Sequence, residues 1–216
     1  VTGLIITKRE RISIMSVAII DYDAGNIKSV EKALEYLGQK VKITRNQKEI
    51  LSADRVILPG VGAFGDAMGK IRSYGLESVI QDAVRQGTPF LGICLGLQLL
   101  FEDSDETPGV KGLGLLPGGI RRIPDGEGLK IPHMGWNELC FHQDHPLIQN
   151  IKEKDFVYFV HSYYLKAREE EIVKAKTNYI TDFHSSVEKD NVFACQFHPE
   201  KSGDVGLKIL DNFANI

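Results

Sequence analysis

A chain of 216 residues with 43% hydrophobic and 25% charged residues has the makeup of a soluble globular domain with room for a sizeable core. Its net charge of −3 removes the electrostatic case for a nucleic acid or an anionic membrane as partner. Three cysteines, Cys94, Cys140 and Cys195, argue against a disulfide framework and for a reducing, cytoplasmic compartment, and no apolar run approaches the length of a membrane span.

Residues 1–7 are apolar, but the charged run Lys8-Arg9-Glu10-Arg11 follows them instead of preceding them, the wrong order for a secretory signal. The natural start is expected at Met15, with residues 1–14 an added extension or a mobile tail and one domain over 15–216. Residues 17–21 form a short buried strand and 23–26 a turn. A helix then sets Ile27, Val30, Leu34 and Leu37 on one face and stops at Gly38. Strands follow at 41–44 and 55–58, the second ending in Pro59-Gly60-Val61-Gly62. A helical stretch begins near Phe64, and another over 76–86 carries Leu76, Val79, Ile80, Ala83 and Val84 on its apolar side. This β-α-β-α rhythm predicts an α/β fold: an open, mostly parallel sheet flanked by helices. The second half is richer in turns. Strands are expected at 136–142, 156–160, 171–176 and 192–197, as an antiparallel extension of the sheet, with a closing helix over 204–213.

The apolar run Pro89-Phe90-Leu91-Gly92-Ile93 leads into Cys94, and Leu95, Leu99 and Leu100 continue as a helical pattern. A cysteine between Gly92 and Gly96 at a strand-to-helix junction has the form of a nucleophile elbow with sulfur in place of oxygen. The turn is tight and its backbone strained, so the neighbouring residues must be small. The helix start favours thiolate, and its amides can hold an oxyanion. In an open parallel sheet, sites form beyond the carboxyl ends of the strands. Two further stretches fall there: the Gly60 to Gly62 loop, able to present a backbone amide, and Cys195-Gln196-Phe197-His198-Pro199-Glu200. A histidine at a strand end with a carboxylate two residues on suits a base and its orienter. The parts together predict acyl transfer through a thioester. Cys94 attacks, His198 moves the proton, and Glu200 orients the imidazole. Leu95 and an amide of Val61 or Gly62 hold the oxyanion.

Gly92-Ile93-Cys94-Leu95-Gly96, Pro59-Gly60-Val61-Gly62 and Phe197-His198-Pro199-Glu200-Lys201-Ser202 together resemble the class I (triad) glutamine amidotransferases, over essentially everything from Met15 onward. Asp21-Tyr22-Asp23-Ala24-Gly25-Asn26, Pro132-His133-Met134-Gly135-Trp136-Asn137 and His161-Ser162-Tyr163 are similar to the branch of that family that serves imidazole glycerol phosphate synthesis in the histidine pathway. The resemblance implies hydrolysis of L-glutamine to glutamate and ammonia. It implies a heterodimer with a (β/α)8-barrel cyclase subunit that receives the ammonia through a channel. It also implies glutamine binding by Gln98, Glu106, Ser162 and Tyr163. Gln98 lies about one helical turn beyond Cys94, within reach of the same pocket. Met134, Trp136, Asn137, Tyr158 and Lys201 are expected at the interface with the cyclase, since aromatic and Met side chains make good contact anchors.

Two other readings stay open at this stage: an amidotransferase of the pyridoxal phosphate, anthranilate or purine pathways, and a non-catalytic protein using Cys94 as a thiol sensor. Cys140, His142 and His145 do not have the spacing of a common structural zinc site, so no metal is expected. Neither a G-x-G-x-x-G opening a first helix nor a P-loop lysine is present, so no cofactor is expected on this chain.

Overall fold

The structure, a computed structural model, describes residues 16–126, 128–141 and 145–216. The extension expected over 1–14, the start at Met15 and His142 of the Cys140 group lie outside the described residues.

In chain order the elements are β1 (Ser16–Ile20), α1 (Ile27–Tyr36), β2 (Lys40–Thr44), α2 (Gln47–Leu51), β3 (Arg55–Gly60), α3 (Phe64–Ser73), α4 (Leu76–Arg85), β4 (Phe90–Cys94), α5 (Leu95–Leu99), β5 (Asp103–Ser104), β6 (Gly118–Arg122), β7 (His133–Glu138), β8 (Cys140–Phe141), β9 (Phe156–His161), β10 (Tyr163–Ala167), β11 (Val173–Tyr179), β12 (Thr181–Lys189), β13 (Val192–Cys195) and α6 (Gly203–Ala214). The main sheet runs β2-β1-β3-β4-β13-β12-β10-β6-β5. Its first five strands are parallel to one another. β12, β10 and β6 continue it antiparallel, and β11 pairs with β12 beside the path. A mostly parallel sheet with an antiparallel extension is the fold class read from the sequence.

Alternation along the central strands divides the core into two layers. Val56 and Leu58 of β3 and Phe90 of β4 pack with Ala67, Met68, Ile71, Val79 and Ile80 of α3 and α4. Ile57, Leu91 and Ile93 point the other way, onto Ile27, Val30 and Leu34 of α1 and Ile209, Leu210 and Phe213 of α6. Strands buried on both faces read as continuous apolar runs, which is why 55–58 and 90–93 were legible as parallel strands.

The second half departs from expectation in three places. The strand expected at 136–142 is two. β7 starts at His133 and pairs fully with β9, from His133 opposite His161 to Glu138 opposite Phe156. Leu139 is wholly buried between, and β8 then joins β11. β7 and β9 form a separate two-stranded sheet instead of extending the main one. β10 and β12 had no sequence expectation. β12 mixes Asp182, His184, Ser185, Ser186 and Glu188 among its apolar residues, and its period is blurred because strands lie on both sides of it. The short helix α2 was also not expected: it buries only Ile50 and starts on Asn46, whose side chain accepts from the Lys48 and Glu49 amides.

Candidate active site

β3, β4 and β13 lie side by side at the centre of the sheet, and Gly60 at the end of β3 stands in register with Cys94 at the end of β4. Cys94 has φ 55 and ψ −110, a sparsely populated conformation for a residue with a side chain, costing on the order of 1–3 kcal/mol. Its flanking glycines are a packing necessity. A Cβ on Gly96 would sit 1.7 Å from the Leu58 carbonyl oxygen, and one on Gly92 would sit 2.9 Å from the Gly96 carbonyl oxygen. The elbow is thus pressed against β3. The helix after it has only five residues. Any electrostatic help to the sulfur therefore comes from first-turn amides and not from a long helix dipole.

His198 and Glu200 meet beside this turn. His198 Nδ1 lies 2.8 Å from Glu200 Oε1, and both side chains are essentially sealed from solvent. The same carboxylate oxygen accepts from Asn26 Nδ2 at 2.5 Å. Asn26 sits before α1 with φ 68, a left-handed position that asparagine tolerates well. Its role was not read from the sequence, where 23–26 was only a turn; its partner is 174 residues away. The other ring nitrogen of His198, Nε2, is buried and makes no full hydrogen bond. Burial alone would lower the basicity of this ring, but interaction with Cys94 and with Glu200 outweighs burial and pushes His198 up to about 10. The ring therefore carries a proton at neutral pH, facing a sulfur. The His198 amide donates to the Tyr158 carbonyl (2.9 Å), and Ser202 Oγ accepts from the Tyr158 amide while donating to the His198 carbonyl. These bonds tie the turn after β13 to β9.

Cys94 also opens onto a cavity of about 370 Å³ lined by Val61, Gly62, Leu95, Gln98, Glu106, Pro132 and residues 160–163. That brings together every residue expected at the oxyanion and glutamine positions. Gln98 Nε2 donates to the Tyr163 carbonyl (3.0 Å) and to Gln196 Oε1 (3.2 Å). Both its amide hydrogens are spent, so its carbonyl oxygen is what it can offer the cavity. Gln196, fully buried, directs Nε2 at the Cys94 sulfur (3.8 Å); it lies in the quoted His198 stretch but had no assigned role. Glu106 Oε2 accepts from the Phe64 amide (2.7 Å), which fixes the start of α3 two residues beyond Gly62.

Of the residues expected at an interface, Met134 and Trp136 are 63% and 55% exposed. They share one face of β7, with Trp136 edge-on to Tyr158 across the ladder. Lys201 is exposed in the turn after His198. Asn137 does not share that face. Strand alternation puts it, half-buried, on the opposite face, where its amide donates to the Asn178 carbonyl (2.9 Å). Among the described residues no group of His, Cys, Asp and Glu could hold a metal ion, and no helix is long and apolar enough to cross a membrane.

Known proteins match this chain closely. The imidazole glycerol phosphate synthase subunit HisH of Caldanaerobacter subterraneus is 50% identical, over 93% of this chain and 98% of its own length. The protein of the same name from Methanocaldococcus jannaschii is 50% identical over 93% and 99%, and that from Aquifex aeolicus 51% over 92% and 96%. Among solved structures, one described as a glutamine amidotransferase superposes with a TM-score of 0.73 at 21% identity, covering 93% of this chain and 99% of that one. A glutamine amidotransferase from Thermotoga maritima gives 0.64 at 16%, covering 87% and 76%. These two speak for the fold. The family model for class-I glutamine amidotransferases matches residues 18–216, nearly the whole sheet and every part of the elbow and cavity, and the chain belongs to that family.

Proposed function

We propose that this chain is the glutaminase subunit of an imidazole glycerol phosphate synthase. In this reading it hydrolyses L-glutamine and passes the ammonia to a cyclase subunit, which forms imidazole glycerol phosphate and AICAR. The observation that carries the reading is half-identity with HisH subunits over nearly the full length of both chains. The cavity supports its chemistry: its volume suits a small polar substrate, and the Cys94 sulfur and the Val61, Gly62 and Leu95 backbone line it.

Glutamine enters with its carboxamide against Cys94, held by Gln98, Glu106, Ser162 and Tyr163. The sulfur attacks the carboxamide carbon. The developing oxyanion is received by the amide of Leu95 and one from Val61 or Gly62. His198, already protonated, donates from Nε2 to the departing nitrogen, so ammonia leaves and a glutamyl thioester remains. The now neutral ring takes a proton from water, the hydroxide equivalent opens the thioester, and glutamate departs with the sulfur and imidazolium restored. Glu200, steadied by Asn26, keeps the ring oriented throughout. Ammonia escaping into neutral water would be protonated and lost as a nucleophile, which favours direct transfer to the partner. Met134, Trp136, Tyr158 and Lys201 form the docking face in this scheme, and the domain spans 15–216 in the cytoplasm.

The test is a glutaminase assay of the purified chain, alone and with a cyclase subunit with and without its nucleotide. Weak turnover alone and a rise with the liganded cyclase are expected. Turnover equal in all three, or recovery of a different synthase as the bound partner, overturns the assignment.

A further inference from the structure

Behind the cavity lies a buried chain of hydrogen bonds that the reaction scheme does not use. His133 Nδ1 lies 3.0 Å from His161 Nε2, and the two residues face each other across the β7–β9 ladder. His161 Nδ1 lies 2.9 Å from the Tyr163 carbonyl oxygen. Asn137 Nδ2 lies 3.3 Å from His133 Nε2.

The proton positions follow from both ends. A carbonyl only accepts, so His161 carries its hydrogen on Nδ1 and, when neutral, presents a bare Nε2. At the far end the Asn137 amide cannot turn over. Its Oδ1 accepts from the Glu138 amide (2.8 Å) and its Nδ2 donates to the Asn178 carbonyl. His133 Nε2 must therefore accept, and its hydrogen sits on Nδ1, aimed at His161. The two ends give one directed chain, from Asn137 through His133 and His161 to the Tyr163 carbonyl. Burial pushes His133 down to about 4 and His161 to about 3, which keeps both rings neutral near neutral pH. The His133 ring is also clamped, stacked at 4.0 Å on Tyr179 and at 4.9 Å on Phe159.

The chain ends on the carbonyl that also accepts from Gln98, and residues 160–163 wall the cavity. Building on the glutaminase reading, we infer that His133 is a positioning residue for that reaction. Its Nδ1 hydrogen fixes the tautomer and ring orientation of His161, and through His161 the wall that receives glutamine. His133 touches neither substrate nor sulfur, so its loss acts on substrate binding more than on the chemical step.

Long-range nitrogen-15 NMR of histidine-labelled protein reads the tautomers directly. At neutral pH both rings are expected neutral with hydrogen on Nδ1. In complex with the cyclase, His133→Phe keeps the stacking and removes the donor. Glutamine KM is expected to rise about tenfold, the worth of one buried hydrogen bond, with kcat within roughly threefold and the rate of Cys94 alkylation by iodoacetamide unchanged. His133→Asn, whose Nδ2 can stand where Nδ1 stood, is expected to restore KM. A His161 hydrogen on Nε2 in the wild type overturns the inference, as does an unchanged KM in folded His133→Phe. If the phenylalanine variant does not fold, a tenfold KM increase in folded His133→Asn overturns it equally. Should the wild-type complex not hydrolyse glutamine, the functional reading fails while the tautomer spectrum still decides the hydrogen-bond chain.

Discussion

Asn26 offers a sharp test of how the imidazole is held. Its Nδ2 donates to Glu200 Oε1 at 2.5 Å, on the same oxygen that His198 Nδ1 reaches at 2.8 Å. Glu200 Oε2 is buried without a hydrogen bond. Deleting the amide therefore strips a sealed carboxylate of one of two donors. A hydrogen bond to a charged group is worth about 1.5–3 kcal/mol. If that is lost from the geometry of the transition state, kcat falls about 10- to 100-fold. Asn26→Gly is the clean deletion, because glycine accepts the left-handed φ of 68 at this position without strain. Asn26→Asp keeps the shape but sets a second carboxyl against Glu200. Like charges raise the pKa of one of them, so this variant is expected to be poorest at neutral pH. It should partly recover as the pH falls, when a protonated carboxyl can donate as the amide did. Steady-state glutaminase kinetics of the complex, with circular dichroism to confirm folding, measure both. A folded Asn26→Gly enzyme with kcat within about twofold of wild type would refute the argument that the second donor holds Glu200 in place.

Further outcomes follow from the same geometry. Cys94→Ala is expected to abolish hydrolysis, His198→Ala nearly to do so, and Glu200→Gln to lose less, in the order attacker, proton carrier, orienter; full activity in the His198 variant would remove the proton carrier from the scheme. Because His198 is pushed up to about 10 and must deliver a proton, kcat is expected to be level through neutrality on its alkaline limb and to decline as the pH rises through that value. In Cys94→Ala the NMR titration of the His198 ring should move to lower pH, and an unmoved titration would show that sulfur does not act on the ring. Gly96→Ala would press a Cβ to 1.7 Å from the Leu58 carbonyl oxygen and is expected to cost about 3 kcal/mol, seen as a lower denaturation midpoint. His133 and His161 bind protons readily only when unfolded. Their contribution to stability is complete above about pH 6.5 and is lost as the pH falls toward about 4 and 3. The slope is up to about 1.4 kcal/mol per pH unit for each ring, and urea unfolding across that window would reveal it.

Much of this molecule was legible where the physics is local. Gly92, Cys94 and Gly96 announced a strained elbow because only small neighbours fit such a turn. The runs at 55–58 and 90–93 announced buried parallel strands because both their faces are covered. The pairing of His198 with Glu200 needed only two residues of spacing. What stayed hidden depends on distant partners. Asn26 looks like any turn residue until Glu200 is brought to it. Gln196 sits in a strand-end motif whose histidine and glutamate drew the assignment, and its amide acquires meaning only beside Cys94. Trp136 and Asn137 are neighbours in the sequence, but strand alternation puts them on opposite faces of β7, Trp136 exposed and Asn137 half-buried against Asn178. The separation of β7 and β9 from the main sheet is set by which strands meet, which no local period encodes.

The claim on which the account stands is that the sulfur of Cys94 forms a covalent bond to the substrate carbon. Rapid acid quench of the complex during turnover of isotope-labelled L-glutamine, followed by peptide mass spectrometry, observes that bond directly. A labelled glutamyl group is expected on the peptide carrying Cys94 and none in Cys94→Ala. Steady hydrolysis with no acyl group at Cys94, or label that persists in Cys94→Ala, would contradict it.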